Sequence, residues 1–237
     1  MAAPSETGPG RRDDVLTQVA DIARQMAESA DLDELLQRIV DLGEAYLEGC
    51  DGVSMMLIRR GGELMSPAYS SEVAYESDLA QYRNDEGPCL EALREHETIV
   101  IDDLRTEQRW PNYRAEALAL GVRSMISFRL FVHADTMGAL DFYSRTPHAF
   151  DDHSRALGQV FASHAAVAMK SAIAEVGLHA ALRTRDLIGQ AKGILMARES
   201  LDAAAAFVRL REVSQARNLA LRDLAEEVTR TGQLPDG

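Results

Sequence analysis

Cysteine, lysine and aromatic residues are scarce in this chain of 237 residues. Its two cysteines, Cys50 and Cys89, are too few for a disulfide framework. No histidine stands at a ligand-type spacing from either cysteine, so we expect no metal site. Apolar runs end before the roughly 20 residues that a membrane span needs, and the first residues lack an apolar stretch of signal-peptide length. We therefore expect a cytoplasmic protein with no membrane span.

The net charge of −13 argues against nucleic acid as a partner of the whole chain, but the charge is unevenly distributed. From Gly177 onward there are nine basic and eight acidic residues, a net charge of +1. The first 176 residues hold 16 basic and 30 acidic residues, a net charge of −14. The last part of the chain is therefore compatible with phosphate contact, which its charge alone does not establish.

Hydrophobic periodicity over the first 150 residues predicts an α+β domain. One amphipathic helix is predicted over 13–30, and a second begins at Asp31, an N-cap with Glu34 three residues later. A Gly61-Gly62 turn connects the first two strands. The strand-like segments are 52–59, a segment from Leu64, 98–101, 124–132 and 137–143. Their order, with an irregular helical region in the middle, predicts an antiparallel sheet flanked by helices.

From Asp151 onward the pattern is entirely helical. A long helix carries an alanine-rich stripe, which fits either packing against the sheet or self-association through close helix approach. Three further helical stretches follow, over 182–198, 201–217 and 221–231. We expect Ser200 to cap the second, Asn218 to close it in the left-handed conformation, and Gly232 to end the third.

One stripe of the 182–198 helix combines basic residues with glycine. Arg185, Gly189, Lys192 and Met196 follow one another at helical spacing. Gly189 and Gly193 each cost about 1 kcal/mol in a helix interior, which makes sense where another backbone approaches closely. The approaching backbone could belong to a neighbouring helix, the more frequent case, or to a nucleic acid.

The residues from about Leu182 to Gly232 closely resemble the ANTAR family of RNA-binding antitermination modules. The resemblance rests on RDLIGQAKGILMARE (185–199) and SLDAAAAFVRLREVSQARNLALRDLAEEV (200–228). It implies an all-α three-helix bundle, reached through the long helix, that binds paired stem-loops in nascent transcripts as a homodimer and prevents terminator formation. The RNA-binding residues it implies are Arg185, Gln190, Lys192, Gly193, Arg198 and Asn218.

These residue types suit RNA. Arginines and Lys192 can contact phosphates, and Gln190 and Asn218 offer paired donors and acceptors to loop bases. The module has one aromatic residue, Phe207, whose spacing predicts a core position, so we expect no base stacking on an aromatic ring.

The preceding 32–171 region resembles a GAF sensory domain, of the kind joined to ANTAR modules in actinobacterial regulators. The motifs that carry this resemblance are DGVSMMLI (51–58), EGPCLEAL (86–93), IVIDDLRTEQRWPNY (99–113), GVRSMISFRL (121–130) and GALDFYS (138–144). It implies that the domain senses a small molecule or redox signal, with no cofactor identified. A pocket could be lined by Cys89, Trp110, Tyr113 and Phe128, although core or surface roles explain such aromatic residues more often.

Cys89 follows Pro88 at the predicted start of a helix, where the helix dipole would favour the thiolate and a redox sensor. The favoured alternative is a half-buried cysteine at a pocket edge. Methionine sulfoxide reduction, an activity of some GAF proteins, is disfavoured because only Cys50 could be a resolving partner. An acidic pair, Asp102 and Asp103, suggests a magnesium-dependent phosphorylation receiver, but no lysine precedes Lys170 to complete one.

These observations predict a non-enzymatic, signal-responsive antitermination regulator. We expect a tail and helix over 1–30, the GAF-like domain over 31–171, and a linker helix with the ANTAR-like module over 172–237. Two alternatives remain open. A DNA-binding regulator would need a recognition helix after Gly232, and a ligand-binding protein would use its C-terminal helices only to dimerise.

Overall fold

The chain forms two units, one through Ala172 and one from Ile173 onward. The computed structural model describes residues 9–59, 61–95, 98–132 and 135–235. A five-stranded antiparallel sheet organises the first unit, with the strand order β2-β1-β5-β4-β3. The strands are β1 (Gly52–Ile58), β2 (Leu64–Tyr69), β3 (Ile99–Ile101), β4 (Ser124–Val132) and β5 (Asp135–Ser144). The predicted antiparallel sheet with flanking helices is thus confirmed.

Local sequence signals explain where these elements begin and turn. The Asp31 side chain accepts a hydrogen bond from the N–H of Glu34 at 2.9 Å, and the Glu34 carboxylate accepts one from the N–H of Ala30 at 2.7 Å. The β1–β2 hairpin turns through Gly61 and Gly62, whose φ angles of 100° and 86° suit glycine. Both predictions are confirmed.

Helices cover the two faces of the sheet. The helices of this unit are α1 (Pro9–Ala27), α2 (Leu32–Tyr46), α3 (Glu72–Asn84), α4 (Pro88–Glu95), α5 (Pro111–Ala119) and the first part of α6 (Asp152–Glu199). Leu140 and Phe142 of β5 belong to an apolar core with residues of α1, α2 and α6. The alternate β5 residues, Asp141 and Tyr143, lie on the opposite face, towards α3 and α5.

α6 extends over 48 residues and contributes to both units. By length and composition it could cross a membrane, with a mean hydropathy of 1.3 over a window that is 17% buried. Helices of water-soluble proteins pass the same criterion, so this finding is weak evidence for a membrane span. The lengths of uninterrupted apolar runs, on which the expectation of no membrane span rests, do not detect this helix.

The second unit is a small helical bundle. It consists of the end of α6, α7 (Ala203–Ala216) and α8 (Leu221–Thr231). Its buried core comprises Ala191, Leu195, Ala206, Leu210, Val213, Leu224, Ala225 and Val228. These residues recur at three- and four-residue spacings, so the predicted three-helix bundle follows from their periodicity.

Of the three predicted helix caps in this unit, one is wrong and two are confirmed. Asp202, not Ser200, caps α7, and its carboxylate accepts from the N–H groups of Ala204 and Ala205 at 2.9 and 2.8 Å. Ser200 instead adopts a left-handed conformation, with φ 55°. Asn218 and Gly232 follow α7 and α8 with positive φ angles of 52° and 76°, as predicted.

Candidate functional sites

The bundle presents a basic face, which we define by Arg185, Gly189, Lys192 and Gly193 of α6 and Phe207 of α7. The ammonium group of Lys192 lies 5.9 Å from the centre of the Phe207 ring. Arg185 and Phe207 line the same shallow groove. Among the described residues, neither Arg185 nor Lys192 has a carboxylate within salt-bridge distance. Lys192 therefore lies near the aromatic ring, and Arg185 borders the groove that this ring lines.

Phe207 is 38% exposed, so its predicted core position is wrong. It follows Ala206, which is fully buried, and precedes Leu210, which is also fully buried. Ala206 and Leu210, four residues apart, therefore face the core of the bundle, and Phe207 lies at the edge of that core. An aromatic ring is consequently available at the surface for stacking.

The two glycines on the basic face have open surroundings. A β-carbon added to Gly189 or Gly193 would meet no atom of the described residues within 4 Å beyond its own helix. Tight helix packing within this chain therefore does not explain these glycines. They leave the α6 backbone accessible to an external partner.

The other predicted RNA-binding residues occupy different places. Gln190 is exposed on α6, two positions before Lys192. Arg198 lies beside the end of α8, with its guanidinium 3.4 Å from where a β-carbon on Gly232 would stand. Asn218 follows α7, and its N–H donates to the carbonyl of Gln215 at 3.2 Å. The structure thus brings Arg185 and Lys192 together on one face and places Arg198 elsewhere.

A buried polar site lies between the sheet and the helices α3, α4 and α5. Its best-connected member is Asp78 of α3, which is fully buried. One Asp78 carboxylate oxygen accepts hydrogen bonds from the hydroxyls of Ser54 at 2.8 Å and Tyr143 at 2.6 Å, and the other accepts from Ser66 at 2.5 Å. Burial nevertheless raises the pKa of Asp78, to about 6.

Asp141 occupies the centre of the sheet and has a different environment. Its strand neighbours in register are Ser54 on β1 and Ser127 on β4. Asp141 is fully buried, and neither of its carboxylate oxygens has a partner at good hydrogen-bond geometry among the described residues, although the Ser127 hydroxyl and the Cys89 thiol lie close enough to lower its pKa. Burial and the nearby charge of Asp78 raise the pKa of Asp141, to about 8.

Two more buried polar atoms in this region are unpartnered in the described part of the chain. They are the hydroxyl oxygen of Ser127 and the amide nitrogen of Gln81. The Gln81 carbonyl oxygen accepts from the backbone N–H of Cys89 at 2.8 Å, which fixes the side chain at the start of α4. Such buried groups without partners are rare in proteins, so each of them is available to hydrogen-bond a ligand or a water molecule.

Cys89 lies at the first turn of α4, but it is fully buried rather than half-buried at a pocket edge. Its sulfur lies 3.1 Å from the Met56 sulfur. Burial, together with the charges of Asp141 and Asp78, raises the pKa of the thiol well above its usual value. The helix dipole does not overcome these effects, so the expectation of a thiolate is wrong.

The structure brings only part of the predicted aromatic pocket together. The Tyr113 hydroxyl lies 3.0 Å from that of Ser77 and 3.1 Å from the Met125 sulfur, on the same side of the sheet as Asp141. Trp110 joins Tyr113 in the core beneath α5. Phe128 lies on the opposite face, where it packs edge-on against Phe142 at 5.7 Å. Phe128 therefore shares no pocket with Cys89 or Tyr113.

Sequence reasoning missed Asp78, Gln81, Ser127 and Asp141. A signal for Asp141 exists in GALDFYS, where a carboxylate interrupts an apolar strand predicted to be central. Of the acidic pair, Asp102 binds Arg155 at 2.6 Å and Asp103 binds Arg105 at 2.6 Å. Within the described ranges, no three His, Cys, Asp or Glu residues are arranged to hold a metal ion.

Two family models match consecutive parts of the chain. Residues 29–170 match the model of the GAF domain, and residues 177–228 match the model of the ANTAR domain. No curated protein matches the chain.

Three solved structures with similar folds are distant from this chain in sequence. The GAF domain of an Acinetobacter phosphoenolpyruvate-protein phosphotransferase is 14% identical, covering 69% of this chain and 98% of that one, with a TM-score of 0.54. Free methionine-R-sulfoxide reductase from Neisseria meningitidis, in complex with its substrate, is 20% identical over 74% and 99% of the two chains, with a TM-score of 0.56. A bacteriophytochrome from R. palustris is 11% identical, and the match covers 87% of this chain and 47% of that one, with a TM-score of 0.62. These matches establish the fold alone.

Proposed function

Since the chain belongs to the GAF domain family and carries an ANTAR domain directly after its GAF domain, we propose that it is a signal-responsive transcription antitermination regulator. The ANTAR domain binds paired RNA stem-loops of a nascent transcript, and the GAF domain senses a small molecule. Both matched domains are regulatory rather than catalytic, and we propose a cytoplasmic protein without enzymatic activity.

The observation that carries this proposal is the composition of the basic face. Arg185 and Lys192 supply positive charge for phosphates, while the exposed Phe207 ring supplies a surface on which an unpaired base can stack. Gly189 and Gly193 allow a sugar-phosphate backbone to approach α6 closely. Cations, an aromatic surface and open backbone together suit the loops of RNA hairpins.

We propose further that two copies of the chain act together through α6. Several large apolar residues of this helix are exposed, among them Val167 at 58% and Leu178 at 60%. The neighbouring positions Ser171 and Ala174 are small, so two such helices can approach closely. A dimer would present two basic faces to the two stem-loops of one transcript.

The proposal is tested by measuring binding of the full chain to a paired-stem-loop RNA and to a scrambled control over a salt series. Selective binding supports it, whereas equal binding to both RNAs favours the alternative in which the C-terminal helices only dimerise. Lys192→Gln should weaken binding and reduce the salt slope by about one unit, because one phosphate contact is lost.

Phe207→Leu in the same experiment should weaken binding by about 5- to 150-fold without changing the salt slope, because it removes stacking but no charge. Lys170→Gln is the matched control, because Lys170 is the second of the two lysines in the chain and lies outside the ANTAR domain. Unchanged affinity in both folded variants, Lys192→Gln and Phe207→Leu, would contradict the assignment of the basic face.

A further inference from the structure

The unsatisfied groups at the buried polar site define the chemistry of what it accepts. Asp141 offers two carboxylate oxygens that accept no hydrogen bond of good geometry from the described residues, although the Ser127 hydroxyl and the Cys89 thiol lie close enough to lower its pKa. A buried carboxylate without donors is strongly destabilised when ionised, and a ligand that brings both positive charge and N–H groups removes this penalty. We propose that the buried polar site binds a small organic cation, such as an alkylammonium or guanidinium group, with Asp141 as its main acceptor.

Two further unpartnered groups support a ligand at this site. Ser127 lies directly across the β4–β5 pair from Asp141, and its hydroxyl, although close to Asp141, has no partner at good hydrogen-bond geometry in the described ranges. Gln81, held at the start of α4, has an amide N–H₂ that is likewise unpartnered, and this donor calls for a hydrogen-bond acceptor elsewhere on the molecule that carries the cation. Both side chains are fully buried. Three separate elements thus present unused polar atoms on one side of the sheet.

The charge of the site selects a cation over an anion. Asp78 provides a second buried carboxylate, oriented by Ser54, Ser66 and Tyr143. No arginine, lysine or histidine is among the groups that shift the pKa of Asp78 or Asp141. A metal ion is disfavoured as well, because the described residues contain no cluster of three metal ligands.

Binding of a cation releases a proton. Before binding, the raised pKa keeps Asp141 protonated at neutral pH, and the carboxylate forms only when the N–H donors arrive. The other titratable groups of the site are Asp78 and Tyr82 of α3, Cys89 of α4, Tyr113 of α5 and Tyr143 of β5. The pKa of each of these five groups is raised, so the four besides Asp78 stay neutral at pH 7. Cation affinity should therefore increase with pH up to about 8, by at most about tenfold per unit.

This inference assigns the ligand class of the sensing role proposed above, but its test does not involve RNA. Thermal unfolding of the full chain is measured at pH 8 with ammonium, methylammonium, ethylammonium and guanidinium chlorides at about 10 mM. Methanol, ethanol and urea are the uncharged counterparts of the organic cations, and sodium chloride controls for ionic strength. We expect at least one of these cations, and none of the uncharged molecules, to raise the unfolding temperature.

The variant Asp141→Asn keeps the shape of the side chain and should abolish this shift in unfolding temperature. The control is Asp102→Asn, which removes a surface carboxylate paired with Arg155 and should retain the shift. Ser127→Ala is a second variant that should reduce the shift if Asp141→Asn does not fold. The proposal is overturned if no cation stabilises the wild-type chain, or if the folded Asp141→Asn variant responds as the wild type does. If no cation stabilises the chain but selective RNA binding is observed, the regulatory role is retained and only the proposed ligand class is rejected.

Discussion

Asp141 is a single residue whose environment predicts an unusual dependence of stability on pH. Its raised pKa, about 8, compares with about 3.9 for an unfolded aspartate. Between these values the folded chain keeps a proton that the unfolded chain releases, so stability falls as pH rises from about 4 to about 8. Asp78, whose pKa is about 6, adds to this trend over the lower part of the range.

Asp141→Asn should remove the contribution of Asp141 to the pH dependence while keeping the shape of the side chain, whose oxygens accept no hydrogen bond of good geometry from the described residues. We expect the variant to gain stability over the wild type as pH rises towards 8, by at most about 1.4 kcal/mol per unit. Urea unfolding of both proteins at pH 5, 6, 7 and 8, without added amines, measures this difference. A difference that stays constant with pH would contradict the buried, unpartnered carboxylate.

At the scale of helices and strands, the sequence predicted what depends on local patterns. The strand Ser124–Val132 and the caps at Asp31 and Gly232 follow from alternation and cap chemistry within a few residues. The predictions that were wrong concern which helix a strand side chain faces. Phe128 was assigned to a pocket by its residue type, but only strand pairing reveals that its side chain faces α6 rather than α4. The environment of Asp141 likewise depends on α3 and α4, which are distant in sequence.

Within α6, the glycines of the basic face allow stability and binding to be separated. In a helix interior, alanine is favoured over glycine by about 1 kcal/mol, and a β-carbon at Gly193 meets no described atom within 4 Å. Gly193→Ala should therefore raise the unfolding temperature while weakening RNA binding, because the methyl group obstructs the approaching backbone.

Thermal unfolding and RNA titration of the same Gly193→Ala preparation check both parts of this prediction. Gly177→Ala is the matched control on the same helix, since a β-carbon there also meets no described atom within 4 Å and Gly177 is outside the basic face. It should stabilise the chain and leave the affinity for a single stem-loop unchanged, a readout that does not depend on dimerisation through α6. A loss of stability in Gly193→Ala would indicate that a packed neighbour needs the glycine.

For the whole molecule, the distribution of charge is a constraint on RNA binding. The acidic first 176 residues, with a net charge of −14, repel the same phosphates that the basic face attracts. One ANTAR domain, in a segment whose net charge is only +1, can offer only a modest affinity against this repulsion. Pairing two chains compensates, because the second stem-loop then binds at a high effective concentration without any new contact.

This argument predicts how loss of the dimer changes RNA recognition. Val167→Glu places a carboxylate on the exposed apolar surface of α6, where two such carboxylates would meet in a dimer. The variant should sediment as a monomer and bind a paired-stem-loop RNA at least about tenfold more weakly, while its affinity for a single stem-loop stays the same. Ile58→Glu, at an exposed apolar residue at the end of β1, is the control that should remain dimeric. If the monomeric variant keeps the full preference for the paired RNA, each chain must recognise both stem-loops by itself, and the role of α6 as the dimer helix is lost.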